Sequence, residues 1–443
     1  MTSRAQIRST PSRRRNRSVE RASDRPVDRA LDRSVERALG RAAAGSFSVR
    51  LEDRICSSFD ATDLRSVPDA VAWPRTTREV SDVVRIAHQA GLPLVPRGAG
   101  TGYTGGSVPV DGGVVLSLEK MNRVRMIDVK RRLAVVEPGV VNGALREEVE
   151  ALGLFYPPDP ASLLVSTIGG NIAEGAGGPR TVLYGTTRDY VVGLELVMSD
   201  GSVLTTGALA DRRRVAWDAN PLIVASEGTL AIVTAAALRL SDRPRSQATF
   251  WADFPSLEAA AGAVAAITAS GLPVSVLEIL DRDTYVCAAE YVRGATPDPA
   301  PDGSLLIELE GDEESVCSST ARLMDLLSAS ETSGFRRAAD DAEREEIWDI
   351  RRAISPSLAR LSTGKINEDI AVPRSAIPAF VRRMREIADS AGLPVLAFGH
   401  AGDGNLHINV IVERADRRQM AAARDAVGSL FRAALELGGT LSG

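Results

Sequence analysis

Residues 96–107, PRGAGTGYTGGS, decide how this chain is read. Glycines at 98, 100, 102, 105 and 106 strip side chains from a tight loop and free backbone N–H groups to point at an anion such as a phosphate. The window GTGYTG fits the dinucleotide pattern GxGxxG, but that pattern needs a helix to open at once. The next residues are instead VPVDGGVVLSL, with a proline, a turn and a strand. No lysine follows the glycines, so a Walker A loop is excluded as well.

Working upstream, TTREVSDVVRIAHQAG (76–91) places Thr76 and Glu79 at capping-box spacing, with Val80, Val83, Val84 and Ala87 as an apolar stripe ending at Gly91. His88 falls on the outer surface of this helix. AVAWP before it and LPLVP after it read as strands, which makes an α/β unit delivering the glycine loop. Downstream, after the turn-rich YPPDPAS, comes STIGGNIAEGAGGPR, a second glycine cluster opening a short helix. Two such loops can clasp a diphosphate from two sides, and a dinucleotide between two lobes is the physical expectation.

Length and composition set the frame. At 443 residues the chain exceeds one ordinary core. It is 44% hydrophobic and 25% charged with net charge -5, a globular profile that disfavours nucleic acid as a partner. Cys56, Cys287 and Cys317 lie in no ligand spacing, which fits a reducing cytoplasm. Apolar runs such as LAIVTAAALRL are too short to span a bilayer, and no signal-peptide pattern is present. Residues 1–45 carry an acid-Arg dipeptide every fourth residue, from Glu20-Arg21 to Glu36-Arg37. They read as disordered or as a fraying polar helix without a continuous apolar stripe. The expected division is therefore 1–45, a cofactor domain over 46–245, and a second domain over 246–443. In the last, AAAGAVAAITASGLP and EREEIWDIRRAIS read as helices and SVLEIL and SLLIELEG as strands, an α+β cap that should supply substrate contacts.

The chain has three histidines, and two of them lie in GHAGDGNLHINV (399–410). VLAFGH and NLHINVIV flank Asp403-Gly404, a favoured two-residue hairpin turn. Centring the hairpin there sets His400 opposite His407, with Asn405 and Asn409 on the same face. Such a pair can ligate a metal with a third donor, or simply stack or hydrogen-bond.

In order, PRGAGTGYTGG, EPGVVNGAL, YPPDPAS, STIGGNIAEGAGGP, YGTTRDYVVGLELVMSDG, SEGTLAIVT and HAGDGNLHINV resemble the FAD-linked oxidases of the vanillyl-alcohol-oxidase type, over roughly residues 50–443. They are most similar to the glycolate oxidase D-subunit and D-lactate dehydrogenase branch. The fold implied is α+β: a two-lobed PCMH-type FAD-binding domain followed by an α+β FAD-linked-oxidase C-terminal cap. The resemblance implies that Pro96, Arg97, Gly98, Ala99, Gly100, Thr101, Gly102, Gly106 and Ser107 form the diphosphate loop. Asp159, Ser166, Thr167, Gly169, Gly170, Asn171, Gly177, Gly178, Tyr184 and Gly185 would line the flavin, as would Gly228, Ile232 and Val233. Several relatives tether flavin through histidine or cysteine. Neither occurs between His88 and Cys287, so noncovalent FAD is expected. Departures from the usual pattern are Gly175 for asparagine, Leu183 for lysine and Ala225 for glycine, all of which leave room at the close approaches.

The resemblance also favours a divalent metal, such as zinc or manganese, on His400 and His407. In relatives the third ligand is a glutamate directly after ISG, within GEHG, whereas this chain ends GGTLSG at Gly443. The expectation is therefore a C-terminally truncated cap, substitution by Glu368 or Asp369 of INEDIAVP, or loss of metal binding. For a 2-hydroxy acid, Arg351 and more weakly Lys365 are the candidates to hold the carboxylate. His407 is the candidate base or metal ligand, and Asn409 lies on the same face. The expected activity is oxidation of a D-2-hydroxy acid, glycolate or D-lactate first, with electrons passed to a quinone, an iron-sulfur subunit or another carrier. A homodimer or a partner subunit, and a cytoplasmic place with peripheral membrane contact, fit that activity. Two alternatives are an alkyl-glycerone-phosphate-synthase-like enzyme, disfavoured for want of an extra phosphate-binding segment, and an incomplete flavin-binding subunit completed by a partner.

Overall fold

The chain enters its fold earlier than the acid-Arg repeat suggests. The computed structural model describes residues 31–62, 64–209, 218–361 and 364–442, and the expectation for residues 1–30 lies outside them. Helix α1 (Arg33–Ala42) is capped by Asp32, whose side chain accepts from the Ser34 amide at 2.7 Å. Leu31, Val35 and Leu39 recur every fourth residue and form the stripe that the charge pattern concealed. Leu39 is fully buried, so the polar-tail reading is corrected for this stretch.

Around α1 lies the first lobe. Strands β1 (Phe47–Ser48) and β2 (Ala70–Ala72) precede helix α2 (Thr77–Gln89), and β3 (Leu94–Arg97) and β4 (Val114–Ser117) follow it. The sheet runs β1-β2-β4-β3, with β4 parallel to both β2 and β3. Thr76 caps α2 through the Glu79 amide at 3.2 Å, and Val80, Val83, Val84 and Ala87 are all buried against the sheet. His88 is exposed, as expected.

The second lobe is antiparallel. Its strands are β5 (Val124–Asp128), β6 (Leu133–Val136), then after helices α3 (Asn142–Glu150) and α4 (Ile168–Glu174), β7 (Val191–Val197), β8 (Val203–Thr205) and β9 (Ile232–Arg239). They are ordered β5-β6-β9-β7-β8. The first glycine loop leaves the end of β3, and Thr167 caps α4 where the second begins. Each loop thus belongs to a different lobe.

The remaining chain forms one eight-stranded sheet. In chain order its elements are β10 (Ser246–Phe254), α5 (Leu257–Ala269), β11 (Val274–Asp281), α6 (Arg282–Arg293), β12 (Gly303–Gly311), α7 (Glu313–Ala329) and β13 (Gly334–Arg337). They continue with α8 (Asp341–Leu358), β14 (Gly364–Ala371), α9 (Ile377–Ala391), β15 (Val395–His400), β16 (Asn405–Val412), α10 (Arg417–Glu436) and β17 (Thr440–Ser442). The strand order is β13-β10-β12-β11-β15-β16-β14-β17.

Period-two alternation sorts the two faces of this sheet. Phe250, Leu277, Ile307, Ile370, Ala397, Leu406, Ile408 and Val410 point into a core closed by α5, α7, α9 and α10. Trp251, Val276, Leu306, Leu396 and Phe398 point the other way, toward α6 and α8. On that second face, where the helices stop, the alternation leaves polar side chains facing the glycine loops. These become the site.

Candidate active site

Strands β14, β16 and β15 form a polar stripe on that face. In the β14–β16 ladder Lys365 pairs with Ile411, Asn367 with Asn409 and Asp369 with His407. In the β15–β16 ladder His400 pairs with Asn405 and Phe398 with His407. The two histidines share a face, as expected, but they are not directly opposed. The connection is an α-turn over residues 401–404, closed by the Gly404 amide donating to the His400 carbonyl at 3.1 Å. Asp403 supports it by accepting from the Asn405 amide at 3.0 Å. This moves the centre of the hairpin off Asp403-Gly404. His407 lies opposite Phe398, and the imidazoles meet edge to face with centroids 5.1 Å apart.

Each imidazole is held by a carboxylate. His407 Nδ1 is 2.6 Å from Asp369 Oδ1, and His400 Nδ1 is 2.6 Å from Glu278 Oε1. With Nδ1 donating, Nε2 is the atom left to accept a proton or bind a ligand. Burial opposes charge on His400, but Glu278 beside it outweighs that and raises its pKa above the ordinary imidazole value. Glu278 is itself fully buried, and burial alone would raise its carboxyl. Arg351 and His400 reverse this and hold it at about 2.

Arg351 is no solvated helix residue. It is buried on α8, donates from Nε to Glu278 Oε2 at 2.5 Å, and lies over the Phe398 ring at 5.2 Å. Nη1 and Nη2 have no protein partner among the described residues, which leaves one edge of the guanidinium for an anion. Burial lowers the Lys365 pKa, and no acid pairs with it among the described residues. Asn409 is fully buried, pairs with the cleft-lining Asn367 and is not itself among the lining residues. Both of its amide heteroatoms lack a protein partner.

The stripe forms one wall of a cleft of about 920 Å³, and the glycine loops form the other. Of the expected cofactor residues, Pro96, Arg97, Gly98, Ala99, Gly100, Thr101, Gly102, Gly106, Ser107, Thr167, Gly169, Gly170, Asn171, Gly177, Gly178, Gly228, Ile232 and Val233 line it. The expected ligands Arg351, Lys365, His400 and His407 line it too. Ser166, Asp159, Tyr184 and Gly185 do not. The Asp159 and Tyr184 side chains are bonded to Arg180 and Glu310 instead. The Arg97 guanidinium is spent within the loop, donating to the Phe59 carbonyl at 2.6 Å and to Ser107 Oγ at 3.3 Å, and braces it.

A dinucleotide fits this cleft. The loops approach so closely that a Cβ at Gly98 would meet the Thr167 hydroxyl. The Asn171 amide nitrogen, on the cleft wall, has no protein partner, as a donor reserved for a ligand would. A metal fits less well. Among the described residues no group of three or more His, Cys, Asp or Glu is placed to hold one. Glu368 alternates to the face opposite His407, and Asp369 already serves Nδ1.

The sequence reading missed Glu278, Glu308 and Glu310. Their signal was present: a carboxylate inside apolar strands such as VSVLEILD and SLLIELEG is buried and must find partners. Tyr103, Glu174, Glu227, Asn367 and Asp403 also line the cleft unforeseen.

Two lobes that meet across glycine loops, closed by a sheet whose polar face looks onto them, define a flavin-binding oxidoreductase with a separate cap. The chain belongs to the FAD-linked oxidases: residues 68–207 match the FAD binding domain and residues 243–443 the FAD linked oxidases C-terminal domain. It is an FAD-dependent oxidoreductase. Over 391 residues it is 39% identical to "Glycolate oxidase subunit GlcD" of Bacillus subtilis (strain 168), covering 88% of this chain and 83% of that one. To "D-lactate dehydrogenase [cytochrome], mitochondrial" of Arabidopsis thaliana it is 30% identical, covering 85% and 66%. The solved structure of p-cresol methylhydroxylase with substrate bound superposes with TM-score 0.76 at 17% identity, covering 92% and 88%, which shows a shared fold. An alkyldihydroxyacetonephosphate synthase superposes with TM-score 0.74 at 19% identity, covering 94% and 84%, and likewise shows the fold alone. No described helix is long and apolar enough to cross a membrane.

Proposed function

We propose that this protein oxidises a small D-2-hydroxy acid of the glycolate or D-lactate type, using noncovalent FAD and passing electrons to an external quinone, iron-sulfur partner or other carrier. The observation that carries the proposal is the pairing, on one sheet face opposite the glycine loops, of a free guanidinium edge at Arg351 with the Asp369-held His407. The names of the relatives support the substrate class and its D configuration. Noncovalent attachment is supported by the cleft lining, in which His400 and His407 of the cap are the only histidines or cysteines among the described residues.

FAD, when bound, supplies the acceptor for the hydride leaving the α-carbon. Arg351 binds the substrate carboxylate through its Nη edge, with Lys365 as a second cation on the same wall. His407 Nε2 takes the hydroxyl proton, and Asp369 holds the ring in the tautomer that leaves this atom bare. Phe398, opposite His407, keeps one side of the imidazole dry. A divalent ion shared by His400 and His407 would need donors beyond these two. Among the described residues none is placed to give them, and metal analysis of wild type against His400→Asn tests this.

Anaerobic addition of D-lactate or glycolate to the FAD-loaded protein should bleach its visible flavin bands, and L-lactate should not. Flavin that stays oxidised with every 2-hydroxy acid tried would overturn the proposal in favour of a subunit completed by a partner.

A further inference from the structure

We propose that Arg180 and the carboxylates around it form a latch through which the seating of the cap controls FAD retention. Arg180 follows Gly177, Gly178 and Pro179 directly, and the two glycines line the cofactor cleft. Gly178 is pressed against the Asp159 backbone so closely that a Cβ there would overlap the Asp159 carbonyl oxygen. The Arg180 amide donates to Asp159 Oδ1 at 3.2 Å and its Nη1 to Asp159 Oδ2 at 2.6 Å. One edge of the guanidinium thus fixes the flavin-side loop.

The opposite edge enters the cap. Nε and Nη2 donate to Glu310 Oε1 at 3.2 and 3.0 Å, and Nη2 reaches Glu308 Oε2 at 3.3 Å. Both glutamates sit on β12 two residues apart, so both side chains leave the same face. Glu308 is further tied to Trp348 Nε1 at 2.7 Å and Arg344 Nε at 3.0 Å, both on α8, the helix that also carries Arg351. Tyr184, four residues past Arg180, adds a hydroxyl bond to Glu310 Oε2 at 3.1 Å.

These groups are almost wholly buried, so each contact matters more than a surface ion pair would. Three carboxylates from the two sides share one guanidinium. Neutralising a cap carboxylate leaves the glycine loop covalently intact but loosens its anchorage, whereas removing Arg180 leaves the carboxylates facing one another. FAD affinity should therefore respond to residues that lie outside its cleft.

The test compares FAD dissociation constants, read by flavin fluorescence on apo-protein, with melting temperatures for four variants. Glu310→Gln should weaken FAD about tenfold and Arg180→Met more, with Arg180→Lys recovering part of the loss. Leu323→Ala, in the core on the other face of the cap sheet, should lower melting comparably and leave FAD affinity within about twofold. Equal loss of FAD affinity in Glu310→Gln and Leu323→Ala at equal loss of stability would overturn the latch, as would unchanged affinity in Arg180→Met.

Discussion

Asp369 and His407 face each other at a directly paired position of β14 and β16, with Oδ1 2.6 Å from Nδ1. The ladder that pairs their backbones also fixes the imidazole. The carboxylate therefore selects the ring orientation and the bare nitrogen without help from any mobile loop. His407→Asn should lower kcat for 2-hydroxy-acid-dependent flavin reduction about 10²–10⁴-fold. Asp369→Asn should cost less, roughly 10- to 100-fold, because the ring remains but its tautomer is no longer fixed. Both should retain full FAD content. Stopped-flow flavin bleaching measures the loss, and near-normal rates in His407→Asn would remove it as the base.

Arg351 should separate binding from chemistry. Its Nε is committed to Glu278, so a ligand meets a guanidinium already oriented. Arg351→Lys keeps the charge but loses the fork, and kcat/KM should fall roughly 10- to 100-fold, mostly through KM. Glu278→Gln should weaken the same parameter while shifting His400 as well, since one carboxylate serves both. Steady-state kinetics with D-lactate at saturating acceptor distinguishes KM from kcat. A change confined to kcat in Arg351→Lys would contradict the carboxylate role.

Much of this was legible in the sequence because it rests on local rules. The glycine loops, the Val80–Ala87 stripe and the strands around His400 and His407 follow from residue spacing alone. What escaped depends on a third dimension. An α-turn instead of a two-residue turn shifted the hairpin register, and nothing in DGNLH distinguishes the two. Arg180 follows the glycines like any loop residue, and only folding brings it to Glu308 and Glu310. The stripe of Leu31, Val35 and Leu39 was hidden by a charge repeat of the same four-residue period.

Asp281 should give the stability a pH signature. Its carboxyl caps α6 through the Thr284 amide at 2.8 Å and accepts from the Ala397 amide at 2.5 Å. Burial outweighs those bonds and pushes its pKa from 3.8 up to about 6. An acid raised in the folded state holds its proton more tightly there than in the unfolded chain. Its stabilising contribution is therefore full below about pH 4 and lost as pH rises through about 6, with a span on the order of 3 kcal/mol. The melting difference between wild type and Asp281→Asn should thus widen in favour of wild type as pH is lowered across this window. A constant difference would show that Asp281 does not titrate there.

Gly100 tests whether the first glycine loop is shaped by its own backbone or by what lies beneath it. Its φ is +69°, a region that costs an L-residue roughly 1–3 kcal/mol. A Cβ there would also strike the Arg97 guanidinium, which is bonded to the Phe59 carbonyl and to Ser107 Oγ. Gly100→Ala must therefore strain the turn and displace Arg97, moving the wall of the cofactor cleft. Gly91 provides the comparison, because its φ is +61° and a Cβ there meets nothing within 4 Å. Gly91→Ala should lower stability by about 1 kcal/mol and leave FAD affinity unchanged. Gly100→Ala should lose stability and weaken FAD about tenfold or more, since it carries both the strain and the clash. Equal FAD affinity in the two variants would show that the loop accommodates a side chain without disturbing the cleft, and that Arg97 does not brace it.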